Sequence, residues 1–139
     1  MTQRLLLTVN GVQHERDVPD HRTLYQFLRE DLDLVGTKDS CRQGVCGSCT
    51  VLLDGVPIRA CLALAVRCDG REVTTVEGLA THGKLDRLQQ EFVNAGAVQC
   101  GYCTPGMLMM ATALLRETPA PSELEVREAL IGNLCRCTG

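Results

Sequence analysis

Four cysteines in the front half of the chain have the spacing of metal ligands. They follow the pattern C-x4-C-x2-C-x11-C and are Cys41, Cys46, Cys49 and Cys61. This is the plant-type ligand spacing of a [2Fe–2S] cluster, in which cysteine thiolates hold two irons. Gly44 and Gly47 lie between these cysteines, and glycine can adopt the positive φ angles that let backbone N–H groups wrap closely around sulfur. The pattern therefore predicts a cluster and an electron-transfer role.

A zinc site is the alternative for the same four cysteines. Structural zinc sites also use four thiolates, but they favour two short C-x2–4-C pairs. Here three thiols share one loop, and Cys61 is separated from the third by eleven residues. The spacing favours the cluster over zinc.

A second set of four cysteines lies in the back half of the chain. It combines a C-x2-C and a C-x-C motif separated by 31 residues, and its members are Cys100, Cys103, Cys135 and Cys137. Alone, the C-x2-C motif could be redox-active or bind zinc. Cys103 directly precedes a helix start at Thr104–Pro105, where free N–H groups and the helix dipole favour anionic sulfur. Because the other two cysteines follow a predicted helix end at Gly132, four sulfurs can converge there.

The nine cysteines of this 139-residue chain indicate metal ligands rather than a disulfide scaffold. The first ten residues lack the apolar core of a signal peptide, and no run approaches the roughly 18 apolar residues of a membrane span. A reducing compartment is then expected, in which clustered thiols bind metals. We therefore expect a cytoplasmic protein with no membrane span, and a secreted disulfide scaffold is the alternative.

The charge pattern argues against a nucleic-acid partner. The net charge is −3, the basic residues are scattered, and two Tyr and two Phe offer few rings for stacking on bases. Nucleic-acid binding proteins instead concentrate basic residues on one surface.

The front half predicts a small mixed sheet with a packed helix. Strands are expected at residues 3–9, 12–18, 50–53, 56–59 and 72–76. Asn10–Gly11 and Asp54–Gly55 mark the tight turns of two hairpins, and Thr23 can cap an amphipathic helix over residues 23–31. The stretch 35–49 shows no periodicity and is expected to be the cluster loop.

The back half predicts helices only. They are expected at residues 84–94, 104–117 and 122–131. Gly96 ends the first helix, and Ser122 opens the third with a capping box. The second helix is apolar on almost every side, so it is expected to be the most buried. The change of composition between the halves predicts two domains, 1–77 and 78–139.

Five segments together resemble the iron–sulfur subunit of the molybdenum hydroxylases, the relatives of xanthine and aldehyde oxidase. The segments are 36–38, 46–51, 54–55, 99–107 and 132–139. The last two contain the runs QCGYCTPGM and GNLCRCTG, which are very specific to that family. The resemblance covers nearly the whole chain.

The resemblance implies an α+β protein, with an N-terminal β-grasp [2Fe–2S] ferredoxin-like domain followed by a C-terminal all-α four-helix domain. Each domain would hold one [2Fe–2S] cluster on its four cysteines. The implied partners are a large subunit with a molybdopterin dinucleotide, expected in its cytosine form, and a medium subunit with FAD. This chain would pass single electrons from the molybdopterin centre through both clusters to FAD, and it would have no substrate site of its own.

The same resemblance implies roles for two residues near the back motif. Gln99 would contact the pterin, and Cys137 would lie closest to it. Without the resemblance, Gln99 is a polar residue at a helix end. A stand-alone two-cluster ferredoxin and a two-site zinc-binding interaction module are the alternative functions. Cys68 belongs to neither set and is expected to be a small buried residue.

Overall fold

The front half begins with a β-hairpin that turns at Asn10–Gly11. In the computed structural model, which describes residues 1–138, β1 (Thr2–Val9) pairs antiparallel with β2 (Val12–Pro19). Asn10 and Gly11 have φ angles of 51° and 79°, which suit a two-residue turn of type I′. The predicted hairpin is confirmed.

Further strands complete a mixed sheet. β3 (Thr50–Leu53) and β4 (Val56–Arg59) form a second hairpin around Asp54–Gly55, whereas β5 (Glu72–Thr74) is parallel to β1 and antiparallel to β3. Within residues 1–138 the sheet has five strands in the order β2-β1-β5-β3-β4, so β2 and β4 are its outer strands. β5 ends two residues earlier than predicted, because a 3₁₀ turn follows at Val76–Gly78.

A short helix follows the first hairpin. α1 (Leu24–Gln26) is capped by Thr23 with a capping box, and the chain continues through Phe27–Asp31 as a π-helical turn. The helix predicted over residues 23–31 is therefore in place, but most of it winds more widely than an α-helix. Its buried side chains are Leu24, Phe27 and Leu28.

The larger hydrophobic core lies between this segment and the sheet. Its strand residues are Leu5, Leu7, Val9, Val18, Val51, Leu53 and Val73. The alternate residues of β1 fall on one face, as the two-residue period of a strand requires. Cys68 belongs to this core and is buried, as its sequence context predicted.

The back half is helical. The helices are α2 (Arg87–Asn94), α3 (Thr104–Glu117) and α4 (Glu123–Leu130). α2 begins three residues later than predicted, because Asp86 is its N-cap and forms a capping box with Gln89. The capping box predicted at Ser122 is present, with Glu125 as its second member. Gly96 follows α2 with a φ of 62°, which is typical of a helix end.

α3 joins the two halves and is the most buried helix, as predicted. Its buried residues are Gly106, Leu108, Met109, Ala111 and Thr112. Leu108 and Met109 pack against Leu52 of β3 and against Leu79 in a second, smaller core. The back half is therefore anchored directly on the sheet of the front half.

The resemblance predicts four helices after residue 77, and the structure has three α-helices between residues 78 and 138. The segments 95–103 and 131–138 contain the back cysteines and form turns and bends instead of helices. Within residues 1–138, no helix combines the length and the apolar character needed to cross a membrane.

Candidate iron–sulfur centres

The loop between α1 and β3 curls around the sulfur of Cys41. The backbone N–H groups of Gln43, Val45 and Cys46 donate to Cys41 Sγ at 3.5, 3.2 and 3.3 Å. Gly44 lies in this curl with a φ of 78°. The N–H of Cys46 contributes most to a lowering of the Cys41 pKa to about 6. Successive N–H groups of this kind form an anion-binding concavity, so the loop favours a thiolate.

The hairpin of β3 and β4 brings Cys61 back beside Cys49. Cys49 directly precedes β3, and Cys61 lies two residues after β4. Burial raises the pKa of the Cys49 thiol to about 12, and the neighbouring Cys61 has a smaller influence on it. The side chain of Cys46 also lies close enough to contribute to the lowered pKa of Cys41. The front thiols are therefore gathered as two neighbouring pairs.

The back cysteines lie at helix ends. Cys103 is the N-cap residue of α3, whereas Cys135 follows α4 in a turn whose Thr138 N–H donates to its Sγ at 3.4 Å. The hydrogen bonds from Thr138 lower the pKa of Cys135 to about 7. Burial, and to a smaller extent Cys135, raises the pKa of Cys103.

The back thiols also form two neighbouring pairs. Cys103 and Cys135 lie close enough to influence each other's pKa, and Cys100 influences the pKa of Cys137 in the same way. The N–H of Tyr102 donates to Cys100 Sγ at 3.4 Å. The motifs 100–103 and 135–137 are thus brought together, although 31 residues separate them in the sequence.

Both sets suit a two-iron cluster. A [2Fe–2S] cluster takes four thiolates, two on each iron, and each set presents two pairs of thiols. Backbone N–H groups reach the sulfurs of Cys41, Cys100 and Cys135, and such groups offset the negative charge of a bound cluster. Among residues 1–138, no three His, Cys, Asp or Glu side chains are grouped to hold a single metal ion.

Two cavities adjoin the back set. The larger, of about 790 Å³, has thiols of both sets in its wall, including Cys46 and Cys135. The smaller, of about 230 Å³, is lined by Gln99 together with Cys100 and Cys137. Gln99 is exposed, so its amide can reach a molecule that docks against this side.

Direct hydrogen bonds join the two cysteine loops. The N–H of Leu134 donates to the carbonyl oxygen of Cys46 at 2.8 Å, and the side-chain amide of Asn133 donates to the carbonyl oxygen of Gly47 at 3.1 Å. The hydroxyl of Tyr102 donates to the carbonyl oxygen of Asp39.

A further bridge starts from β4. Arg59 donates to the hydroxyl of Thr50 at 2.6 Å and to the carbonyl oxygen of Gly132 at 2.9 Å. Asn133, Arg59 and Thr50 are not among the site residues that the sequence predicted. Asn133 and Thr50 lie within the segments 132–139 and 46–51 that carry the family resemblance, and this position was the signal in the sequence that could have identified them.

Comparisons with known proteins agree with this arrangement. Residues 7–71 match the family described as a 2Fe-2S iron-sulfur cluster binding domain, and residues 75–139 match the family described as a [2Fe-2S] binding domain. The chain is 49% identical to the 6-hydroxypseudooxynicotine dehydrogenase complex subunit beta of Paenarthrobacter nicotinovorans, over 98% of this chain and 86% of that protein. It is 47% identical to the xanthine dehydrogenase iron-sulfur-binding subunit of Escherichia coli O157:H7, over 95% and 84%.

The fold is that of solved relatives. A chain of quinoline 2-oxidoreductase from Pseudomonas putida 86 superposes with a TM-score of 0.96 and 51% identity, covering 99% of this chain and 85% of that one. A second match is the aldehyde oxidoreductase of Desulfovibrio gigas, with a TM-score of 0.92 and 39% identity, covering 97% of this chain and 15% of that one. The chain therefore belongs to the family of small iron–sulfur subunits of the molybdenum hydroxylases, whose role is electron transfer within an oxidoreductase complex.

Proposed function

We propose that the eight cysteines of the two sets are the ligands of two [2Fe–2S] clusters. The front ligands are Cys41, Cys46, Cys49 and Cys61, and the back ligands are Cys100, Cys103, Cys135 and Cys137. The observation that carries the proposal is the convergence of each set. The β3–β4 hairpin returns Cys61 to Cys49, and all four back cysteines line the smaller cavity. A bound [2Fe–2S] cluster supplies one-electron redox chemistry.

The chain's own groups have distinct tasks in this proposal. The loop N–H groups around Cys41 stabilise its thiolate, and Thr138 does the same for Cys135. Cys49 and Cys103 are at least partly shielded from water, and their raised pKa values mean that they must lose protons when they bind metal. Cluster loading should therefore release protons.

We further propose that the chain is built of two domains, 1–77 and 78–139, the first a β-grasp domain and the second a helical domain. The mixed sheet with its parallel β1–β5 pair supports the first assignment. α2, α3 and α4 supply three of the four helices expected in the second domain, and the fourth stays a prediction.

The proposed partners are a large subunit with a molybdopterin dinucleotide, in its cytosine form, and a medium subunit with FAD. In this arrangement the back set faces the molybdenum subunit and the front set faces the flavin subunit. Gln99 would contact the pterin, with Cys137 as the nearest ligand, because both line the smaller cavity on the exposed side of the back set. A reducing compartment, the cytoplasm, suits these thiols before the clusters are loaded.

Co-purification and metal analysis test this function. We expect about four irons per chain, visible absorption from two clusters, and partner subunits that bring molybdenum and flavin. A colourless chain that contains zinc would establish the zinc-binding module instead. A chain that is stable and reducible without any partner would establish the stand-alone ferredoxin, which is not favoured because relatives are named as subunits of complexes.

A further inference from the structure

The two cysteine loops meet in a backbone contact that we name the glycine junction, formed by Gly47, Gly106 and Gly132. A Cβ atom on Gly106 would lie 2.4 Å from the carbonyl oxygen of Gly47, and a Cβ atom on Gly47 would lie 2.4 Å from the carbonyl oxygen of Gly132. Real Cβ atoms do not approach other atoms so closely, so backbone packs directly on backbone here. The loops cannot come nearer without a clash between main-chain atoms.

Asn133 is buried inside this junction and forms hydrogen bonds across it. It is 5% exposed, and its Nδ2 donates to the carbonyl oxygen of Gly47 at 3.1 Å and to Thr50 Oγ1 at 3.3 Å. Thr50 Oγ1 in turn donates to the carbonyl oxygen of Gly47 at 2.6 Å. Arg59 donates both to Thr50 and to the carbonyl oxygen of Gly132. The three side chains therefore form one network across the junction.

The side-chain oxygen of Asn133 indicates that this residue does more than stabilise the fold. Its Oδ1 is buried and has no hydrogen-bond partner among residues 1–138. A buried acceptor without a partner lowers stability, and residues that break such a rule in a fold are often functional. The contribution of Asn133 to the site therefore lies in the two hydrogen bonds that its Nδ2 donates, to Gly47 and to Thr50.

We propose that Asn133 is a positioning residue that, with Thr50 and Arg59, fixes the separation and orientation of the two cluster sites. The inference rests on the proposed function, because it assumes that both cysteine sets are loaded. Gly47 lies between Cys46 and Cys49, and Asn133 lies two residues before Cys135. A shift at Asn133 therefore moves ligand loops of both sets relative to each other.

The magnetic interaction between the two reduced clusters tests this role in the assembled holoprotein. Two paramagnetic centres split or broaden each other's EPR signals, and the effect depends steeply on their distance and orientation. We expect Asn133→Ala to retain both EPR signals and the wild-type iron content while the splitting is reduced or lost. Asn94→Ala, which changes an exposed asparagine at the end of α2, should leave the splitting unchanged.

A second pair of variants covers the case in which Asn133→Ala does not assemble. Thr50→Val keeps the shape of the side chain but removes the hydroxyl, and Thr50→Ser restores the hydroxyl. We expect altered splitting in the first and wild-type splitting in the second.

An unchanged splitting in Asn133→Ala or Thr50→Val, even with a lower melting temperature, would show a merely structural role and overturn the inference. Wild-type protein without two cluster signals would overturn the proposed function itself, and the inference with it. The wild-type spectrum therefore separates the two failures.

Discussion

The backbone N–H of Leu134 donates a 2.8 Å hydrogen bond to the carbonyl oxygen of Cys46. Leu134 is the neighbour of Cys135 in the sequence, so one hydrogen bond connects the main chain beside a back cysteine to the main chain of a front cysteine. The two candidate centres are therefore linked by a hydrogen bond between main-chain atoms, and a side-chain substitution does not remove those atoms. Substitution of a single cysteine ligand leaves this main-chain link in place, so it should affect one centre without displacing the other.

The substitution Cys103→Ser tests this independence. Cys103 pairs with Cys135 at the start of α3, and serine is a poor ligand for iron in a cluster of thiolates. We expect loss of the back-cluster EPR signal, a fall from about four irons per chain to about two, and an intact front signal. Electron flow from substrate to flavin should stop while substrate still binds. Unchanged signals and iron content would refute the ligand assignment.

Gln99→Ala tests the proposed pterin contact. Gln99 is exposed beside Cys100 and Cys137, and the hydrogen bonds to the sulfurs of the back set come from Tyr102 and Thr138 instead. Both clusters should therefore stay intact, while substrate reduces the back cluster more slowly in stopped-flow absorbance measurements. Gln90→Ala, at an exposed position of α2, is the matched control and should react at the wild-type rate. Equal rates for all three proteins would mean that Gln99 does not contact the pterin.

Gly106→Ala tests the close approach of α3 to the front loop. Alanine favours a helix over glycine by up to about 1 kcal/mol, but its Cβ would lie 2.4 Å from the carbonyl oxygen of Gly47. Overpacking of this kind typically costs about 1–3 kcal/mol. We expect a lower free energy of unfolding and a lower Tm than wild type, measured by chemical and thermal denaturation.

The control for this substitution is Arg116→Ala, on the exposed end of the same helix. It should change stability by no more than about 0.5 kcal/mol. A Gly106→Ala protein as stable as wild type would show that the Gly47 loop can move away from α3 without cost, and that close backbone packing is not required there.

Removal of both clusters should loosen α4 more than the sheet. None of the α4 residues is buried, whereas β1 contributes Leu5, Leu7 and Val9 to the larger core. A helix with so little buried surface depends on what holds its ends, and the turn after α4 contains Cys135 and Cys137. In hydrogen-exchange measurements we expect α4 amides to exchange at least about tenfold faster in the cluster-free protein, which corresponds to about 1.4 kcal/mol. Similar protection of α4 in both forms would show that packing on α3 is sufficient.

Much of the fold could be predicted because its signals are local. Asn10–Gly11 determines a turn through its own φ angles, and Ser122 forms its capping box within three residues. Asp86 and Gln89 form a box of the same kind, and this signal was present in the sequence although the predicted helix began earlier. Such interactions depend on neighbours in the sequence, so the sequence alone is informative.

The bridges between the two sites could not be predicted because they act over long distances in the sequence. Asn133 contacts Gly47 across 86 residues, and Arg59 contacts Gly132 across 73 residues. No periodicity or spacing connects these positions. The packing of α3 on β3 and of α4 on α3 brings the two loops close together, and this packing involves residues far apart in the sequence.

Both outer strands of the sheet have features that oppose pairing with a further strand. β2 presents the charged run Glu15–Asp17, and β4 contains Pro57, which has no N–H group to donate. Extension of the sheet by a strand from another subunit is therefore disfavoured on either side. Under the proposed function, contacts with partner subunits would then be made through the loops and helix ends, where the cysteines lie, and not through the edges of the sheet.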